Sequence, residues 1–432
     1  MINFNNIDTD DSSFQKSFES FLSARNIGPN EISSVVAEII ASVRTKGDEA
    51  IKTYTRELDK FECEEFLVSE QEFDKALDDI DNELINSLEY AFKGIMDFQS
   101  KCYEDLTLES SKEPITRKFR AIASVGMYVP GGKASYPSTV LMGAAPALAC
   151  GIKNICLTTP CLNGIPNGLT LAAARVAGIE KVYKIGGAQA VAALAIGTDQ
   201  VSKVDKIVGP GNVYVAEAKK QLFGEVGIDS IAGPSEIVIL ADETCNPETV
   251  AWDLMAQSEH DPDASSVLIS NSTNFINNVQ YVIDEEIDSL QRSSIIKESL
   301  ESNGLFILIQ DLNEATSIIN RLAPEHLHLA FNHSNYDGEN DLVAGLVMKG
   351  EDSANSLSDY VLGPSHILPT NSSSRFSSPL SVEDFLVSYS FISLDKERNP
   401  KLYSQYVHHT SRIARAEGLT AHAIAAEKRI KS

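Results

Sequence analysis

The stretch KNICLTTPCLNGIPNGLTLAAARVAGIEKVYKIGGAQAVAALAIGT, residues 153–198, decides the fold class. It opens on an apolar run (KNICLT, 153–158), passes into a Gly/Ala-rich helical pattern near 167–177, returns to KVYKI at 181–185, and turns helical again at 188–196. Short strands that alternate with helices imply parallel βαβ units, because parallel neighbours need a crossover between them. The same texture continues outward. VDKIV (204–208) and EIVILA (236–241) read as strands, as do 266–269 and 305–309. Helices are expected near 137–150, 212–222, 250–260 and 313–321. Before residue 120 the pattern is helical. Ile32, Val35, Val36, Ile39, Ile40 and Val43 recur at three and four, with Gly47 placed to end that helix. A second run goes through Leu84, Leu88, Ala91, Phe92, Ile95 and Phe98. Asn371–Ser378 reads as a polar linker, and the tail from about 380 as mostly helical.

Composition narrows the class further. The 432 residues suggest two or three domains at roughly 150 residues each, and the 43% apolar content excludes a largely disordered chain. The 36 Lys+Arg against 61 Asp+Glu leave a net charge of −25, which repels nucleic acid and anionic lipid. Glu57 to Glu83 is crowded with acids and reads as a solvated helical surface. The start, MINFNNIDTDDSSF, lacks a basic segment followed by an apolar run, and the apolar runs Thr139–Ile152 and Ile185–Gly197 are too short to span a bilayer. A soluble protein that stays in the compartment of its synthesis is expected. The six cysteines contain no C-x-x-C pair, so buried reduced thiols are expected rather than a zinc site at Cys150, Cys156 and Cys161.

No G-x-G-x-x-G fingerprint occurs. Gly131-Gly132, Gly186-Gly187 and Gly209-Pro210-Gly211-Asn212 each sit where a strand meets a helix. Such turns let a backbone approach a phosphate at a helix N-terminus, and each also reads as a plain tight turn. Gln257 and His260 are three apart and share a helix face, while Glu259 points elsewhere; a last-turn His favoured by the helix dipole is the plainer reading. Pro324-Glu325-His326 sets a carboxylate beside an imidazole, with the Pro suited to start a helix. That pair suits proton transfer at neutral pH or is ordinary surface polarity. Asp359-Tyr360 and Gly363-Pro364-Ser365-His366 fall in a loop punctuated by Gly and Pro, and Glu417 and His422 read as helix-surface residues.

Together these segments carry a resemblance that periodicity does not. IDSIAGPSEIVILADETCNPETVAWDLMAQSEHDP (228–262) resembles the signature segment of histidinol dehydrogenases. VPGGKASYPSTVLM (129–142), GGAQAVAALAIGT (186–198), VGPGNVYVAEAKK (208–220), NRLAPEHL (320–327), GPSHILPT (363–370), RFSSPLSVEDF (375–385) and AEGLTAH (416–422) are similar to that family in the same order. The resemblance implies an α/β fold of two incomplete Rossmann-like α/β domains with small helical N- and C-terminal extensions. By that division, 1–29 is an N-terminal extension. The first α/β domain is discontinuous (30–127 and 237–372), 128–236 is the second, and 373–432 is a mostly helical dimerisation domain.

The family oxidises L-histidinol to L-histidine through L-histidinal with two NAD reduced, the last steps of histidine biosynthesis. Carried over motif by motif, Gln257, His260, Asp359 and His422 are the implied zinc ligands, one ion per subunit. Glu325 and His326 are the implied acid/base residues. Substrate contacts fall on Ser235, Gln257, His260, His326, Asp359, His366, Glu417 and His422, and NAD contacts on Tyr128, Gln189 and Asn212. The resemblance implies a cytoplasmic homodimer with active sites shared between subunits. Ser358 and Leu362 depart from the family pattern, where Gly and a small residue are usual, and both flank Asp359. Two other readings compete: a dehydrogenase of another small polar alcohol on the same fold, and a catalytically inactive binding protein. Retention of Glu325, His326, Glu417 and His422 disfavours both.

Overall fold

The computed structural model describes residues 2–25, 30–78, 80–107, 111–112, 114–131, 136–331 and 336–430. Gly132 of the first glycine pair therefore lies outside the described residues. In chain order the strands are β1 (Asn6–Asp8), β2 (Ser111–Lys112), β3 (Ile115–Ala121), β4 (Ser124–Tyr128), β5 (Asn154–Thr158), β6 (Lys181–Tyr183) and β7 (Lys206–Val208). They continue as β8 (Gly227–Ile228), β9 (Glu236–Ala241), β10 (Ser265–Ser270), β11 (Leu305–Leu308), β12 (His326–Leu329), β13 (Leu346–Lys349) and β14 (Leu386–Ile392). The chain forms two units: Met1–Glu104 with Ala121–Leu386, and Asp105–Arg120 with Val387–Ser432.

The larger unit holds two parallel sheets. One has the order β1-β11-β10-β9-β12-β13, the other β6-β5-β4-β7-β8. Every residue of EIVILA in β9 and SSVLIS in β10 is buried, as expected of central strands covered on both faces. Ile237, Ile239, Val267, Ile269, Ile307 and Leu327 form one apolar core. Val191, Leu194, Ile207 and Val215 form a second one around the other sheet. The order of each sheet reverses once, between β9 and β12 in the first and between β4 and β7 in the second. These reversals are the switch points where open α/β sheets leave a crevice.

Helix starts follow the local chemistry. The Asn167, Asn212 and Asn246 side chains each accept backbone N–H groups at a helix N-terminus, and Ser69 with Glu72 forms a reciprocal capping box. Gly47 ends the Asn30–Lys46 helix at φ 54°, with its N–H on the Val43 carbonyl.

Three expectations need correction. Pro324 starts no helix: Ala323 turns at φ 43°, and HLHL continues as the fully buried β12 paired with β9 and β13. Four residues of that pattern are too few to tell a buried strand from a helix by periodicity. The Asn371–Ser378 segment is no free linker. The Asn371 N–H donates to Glu236 Oε1 (3.1 Å), and the Ser372 and Ser374 hydroxyls donate to the Leu322 and Ala323 carbonyls (2.7 Å each). The tail from about 380 is mostly helical, as expected, with β14 ahead of its two helices. Asp359-Tyr360 lies in a short helix, Asn355–Tyr360, rather than in a loop. The acidic stretch also has an exception in Asp59, whose Oδ2 is buried without a hydrogen-bond partner.

The smaller unit has β3 central in the order β14-β3-β2, with β2 and β3 antiparallel, and the helices Pro400–Ala416 and Thr420–Lys428. Those helices form a hairpin: Gly418, at φ 79°, follows the C-cap Glu417, and Arg415 Nη2 lies 2.9 and 3.0 Å from the two Glu427 carboxylate oxygens. No described helix is long and apolar enough to cross a membrane. No disulfide joins any of the six cysteines, and five of them are buried.

Candidate active site

Glu236 opens β9 and His326 opens β12, so the site forms at the amino edge of two adjacent strands, with His326 in register with Ile237. The helix Pro247–Ser258 leaves the carboxyl edge of β9 and returns antiparallel to it, which brings its last turn, with Gln257 and then His260, back to that amino edge. Gln257 is 1% exposed, Glu259 is exposed and His260 is half-buried; the helix ends at Ser258, two residues before the expected end, so His260 follows the C-cap Glu259 rather than lying on a helix face.

Glu325 and His326 are buried rather than surface polar groups. Glu325 Oε2 accepts the Glu236 N–H at 2.8 Å and lies 3.5 Å from His326 Nδ1. His326 Nδ1 is 3.1 Å from the Glu236 carbonyl, and its Nε2 is 3.3 Å from Asp359 Oδ1. Burial opposes a charge on His326, but the carboxylates of Glu325 and Asp359 outweigh it and lift the imidazole to about 10. A positive charge set on Asp359 from any source lowers it again. Burial likewise opposes ionisation of Asp359, yet the His326 imidazole 3.3 Å away and the fields of His366 and His260 hold its carboxyl below the usual range.

His366 is used at both nitrogens. Nδ1 donates to the Asp359 carbonyl at 2.9 Å, and Nε2 lies 3.2 Å from the Thr139 hydroxyl. Burial pushes this imidazole below its ordinary value. Ser235 is half-buried just before β9, and its carbonyl accepts the Ser265 N–H at 2.9 Å.

Gln257 and Asp359 are joined through Asn355, whose Nδ2 is 3.1 Å from Gln257 Oε1 and 3.2 Å from Asp359 Oδ2. Asp359 Oδ1, Gln257 Nε2 and His326 Nε2 are buried with no hydrogen-bond partner. Buried polar atoms left unpaired are costly, so a cluster of them marks a place where something else binds. Among the described residues no three His, Cys, Asp or Glu side chains gather in a metal-binding group. Gln257 Oε1, the Asp359 carboxylate and the His260 imidazole, which lies close enough to Asp359 to lower its carboxyl, make a mixed N/O donor set that fits a borderline cation such as Zn²⁺ with positions to spare.

Tyr128, Gln189 and Asn212 belong to the other sheet. Tyr128 ends β4, Asn212 follows β7 through Gly209-Pro210-Gly211, and Gln189 lies in the first turn of the helix after β6. They therefore sit at the carboxyl edge, two of them at the switch point. The Tyr128 hydroxyl accepts the Gly187 N–H at 3.1 Å, and burial pushes its phenol up to about 12. Asn212 Oδ1 caps its helix through Tyr214 and Val215, and Gln189 Oε1 is buried and unpaired. The Gly209 turn is held by a buried ion pair. Lys219 Nζ pairs with Asp229 and donates to the Gly209 carbonyl at 3.0 Å, while Asp229 Oδ2 accepts the Gly209 N–H at 2.7 Å.

Glu417 and His422 lie in the smaller unit, exposed, at the end of one helix and the start of the next. The larger unit gathers Ser235, Gln257, His260, Glu325, His326, Asp359 and His366 without them. Sequence reasoning missed Asn355, Thr139, Lys219, Asp229 and the buried pair Arg25–Glu236 (2.5 Å) behind Glu325. Burial raises the Glu236 carboxyl, Arg25 opposes that shift, and Glu325 adds to it. Only Asn355 carried a legible signal, one helical turn before Asp359.

The comparisons with known proteins bear on the family and the fold. A family model described as histidinol dehydrogenase matches residues 23–430. The histidinol dehydrogenase of Oceanobacillus iheyensis is 43% identical over 397 residues, covering 91% of this chain and 92% of that one. That of Nitrosomonas europaea is 41% identical over 436 aligned positions, covering 99% and 100%. A crystal structure of histidinol dehydrogenase from Elizabethkingia anophelis superposes with a TM-score of 0.92 at 32% identity, covering 100% of this chain and 99% of that one. With that coverage and the continuous match, this chain belongs to the histidinol dehydrogenase family of oxidoreductases in histidine biosynthesis.

Proposed function

We propose that this chain oxidises L-histidinol to L-histidine through L-histidinal, reducing two NAD, as a cytoplasmic homodimer with one Zn²⁺ per subunit held by Gln257, His260, Asp359 and His422 of the partner subunit. The observation that carries the reading is the buried Glu325–His326 pair with an unpartnered Nε2 facing Asp359 Oδ1 at 3.3 Å. A zinc ion held by these residues would supply a Lewis-acid template for the nitrogens of the substrate, and a bound NAD would supply the hydride acceptor.

The side chains supply the proton chemistry. His326 Nε2 takes the hydroxyl proton as hydride leaves the carbinol carbon. Glu325, with Oε2 committed to the Glu236 N–H, uses Oε1 to take a proton from the water that adds to the aldehyde. The protonated His326 gives its proton to the aldehyde oxygen as that water adds, and then takes a proton from the resulting hydrate for the second hydride transfer. Glu417 holds the substrate imidazole by a charge-assisted hydrogen bond, and Ser235 and His366 complete the contacts. His366 reaches substrate by exchanging its Thr139 hydrogen bond. Tyr128, Gln189 and Asn212 position the nicotinamide cofactor. Tyr389, Phe391, Ile413 and Ile424, exposed on the smaller unit, support association with a second subunit.

The test is stoichiometric: two NADH are expected per histidinol consumed. A ratio near one with aldehyde accumulating, or turnover only of another alcohol, overturns the reading.

A further inference from the structure

Asn355 is 2% exposed at the first position of the helix Asn355–Tyr360, and Asp359 stands one turn later on the same face. A single amide nitrogen, Nδ2, reaches both oxygen donors of the site, Gln257 Oε1 at 3.1 Å and Asp359 Oδ2 at 3.2 Å. A carboxylate only accepts, so Asp359 fixes which end of Asn355 is the nitrogen. That nitrogen then dictates that Gln257 turns its oxygen, not its NH₂, towards Asn355.

Gln257 Nε2 has no partner of its own, so the Asn355 hydrogen bond is what opposes a half-turn of the Gln257 amide. After such a half-turn an NH₂ group, which cannot ligate a cation, stands where the oxygen was. Asp359 Oδ1 and the second lone pair of Gln257 Oε1 stay free for a ligand while Asn355 holds both side chains.

We propose that Asn355 is a positioning residue that sets the two oxygen donors for the cation before it binds. This inference rests on the cation reading given above. Groups that orient metal ligands typically change affinity by about 10–100-fold when removed.

The experiment is zinc affinity of the purified full-length protein by chelator competition, with the visible spectrum of the Co²⁺-substituted protein as a second readout. Asn355→Leu keeps the volume and removes both donors. It should bind zinc about 10-fold or more weakly and shift the cobalt d–d bands. Asn355→Ser retains one hydroxyl donor and should fall between Leu and wild type; it also stands in if the Leu variant does not fold. Ser358→Ala, which alters a buried hydroxyl bonded only to the Asn355 carbonyl (2.8 Å) and Met348 sulfur (3.7 Å), should match wild type in both readouts. Wild-type affinity and an unchanged cobalt spectrum in the Asn355 variants overturn the inference while leaving the cation reading intact. A wild-type protein that holds no zinc overturns both.

Discussion

His326 Nδ1 sits 3.1 Å from the backbone carbonyl of Glu236. A carbonyl only accepts, so Nδ1 carries the proton and the basic lone pair of the neutral ring is on Nε2, the atom aimed at Asp359. Strand pairing of β12 with β9 thus selects the tautomer. The same strand edge gives Glu325 its backbone donor from Glu236, so one dipeptide step holds both proton-transfer groups.

Separate roles for the two groups are testable by half-reaction. Glu325→Gln keeps an acceptor for the Glu236 N–H but loses the base, so it should impair aldehyde oxidation more than alcohol oxidation, by about 10²-fold or more. His326→Asn should slow both halves. Assays on histidinol and histidinal separately decide it, and equal damage to the two halves by Glu325→Gln would refute the assignment.

A site completed by His422 of the partner subunit predicts complementation. His260→Ala and His422→Ala homodimers should each be nearly inactive. Co-refolded in equal amounts, random pairing makes roughly half the dimers mixed, each with one intact site. Activity should recover to about a quarter of wild type if the sites are independent. Tagged mixed dimers that stay inactive would return His422 to its own chain.

The Lys219–Asp229 pair predicts a coupled loss of stability and cofactor affinity. Asp229→Ala leaves a buried ammonium uncompensated, which typically costs about 3–5 kcal/mol, and frees the Gly209 N–H. Thermal melting should fall, and KM for NAD should rise more than KM for histidinol. An unchanged ratio of the two KM values would separate this turn from the cofactor.

Asp59 predicts a pH-dependent gain. Burial raises its carboxyl from 3.8 to about 6, so the folded state favours the protonated form and the penalty for the charged form grows as pH rises from about 4 to 6. Asp59→Asn should therefore leave stability unchanged near pH 4 and increase it above pH 6. Discounted for its partial exposure, the gain is on the order of 1 kcal/mol. Denaturant titrations at the two pH values measure it, and an equal effect at both would show that the charge is irrelevant.

Local pattern carried much of the molecule. Runs such as EIVILA and ICLT (155–158) are buried on both faces, and asparagine and glycine mark helix ends, so a parallel α/β architecture follows from residues within a few positions of each other. HLHL escaped because four residues fit either a strand or a helix. The β14 strand, exposed along most of its length, carries no burial signal to read.

By itself the sequence determined the fold class, the order of the motifs and the residue types available for proton transfer and cation binding, because these depend on side-chain chemistry and short-range periodicity. Only the tertiary structure decided that His326 meets the Glu236 carbonyl, Asn355 meets Gln257, and Thr139 meets His366, across separations of 90, 98 and 227 residues. Such contacts are chosen by strand register and by the packing of whole sheets. Their energy belongs to the assembled core, so no stretch of chain encodes them locally.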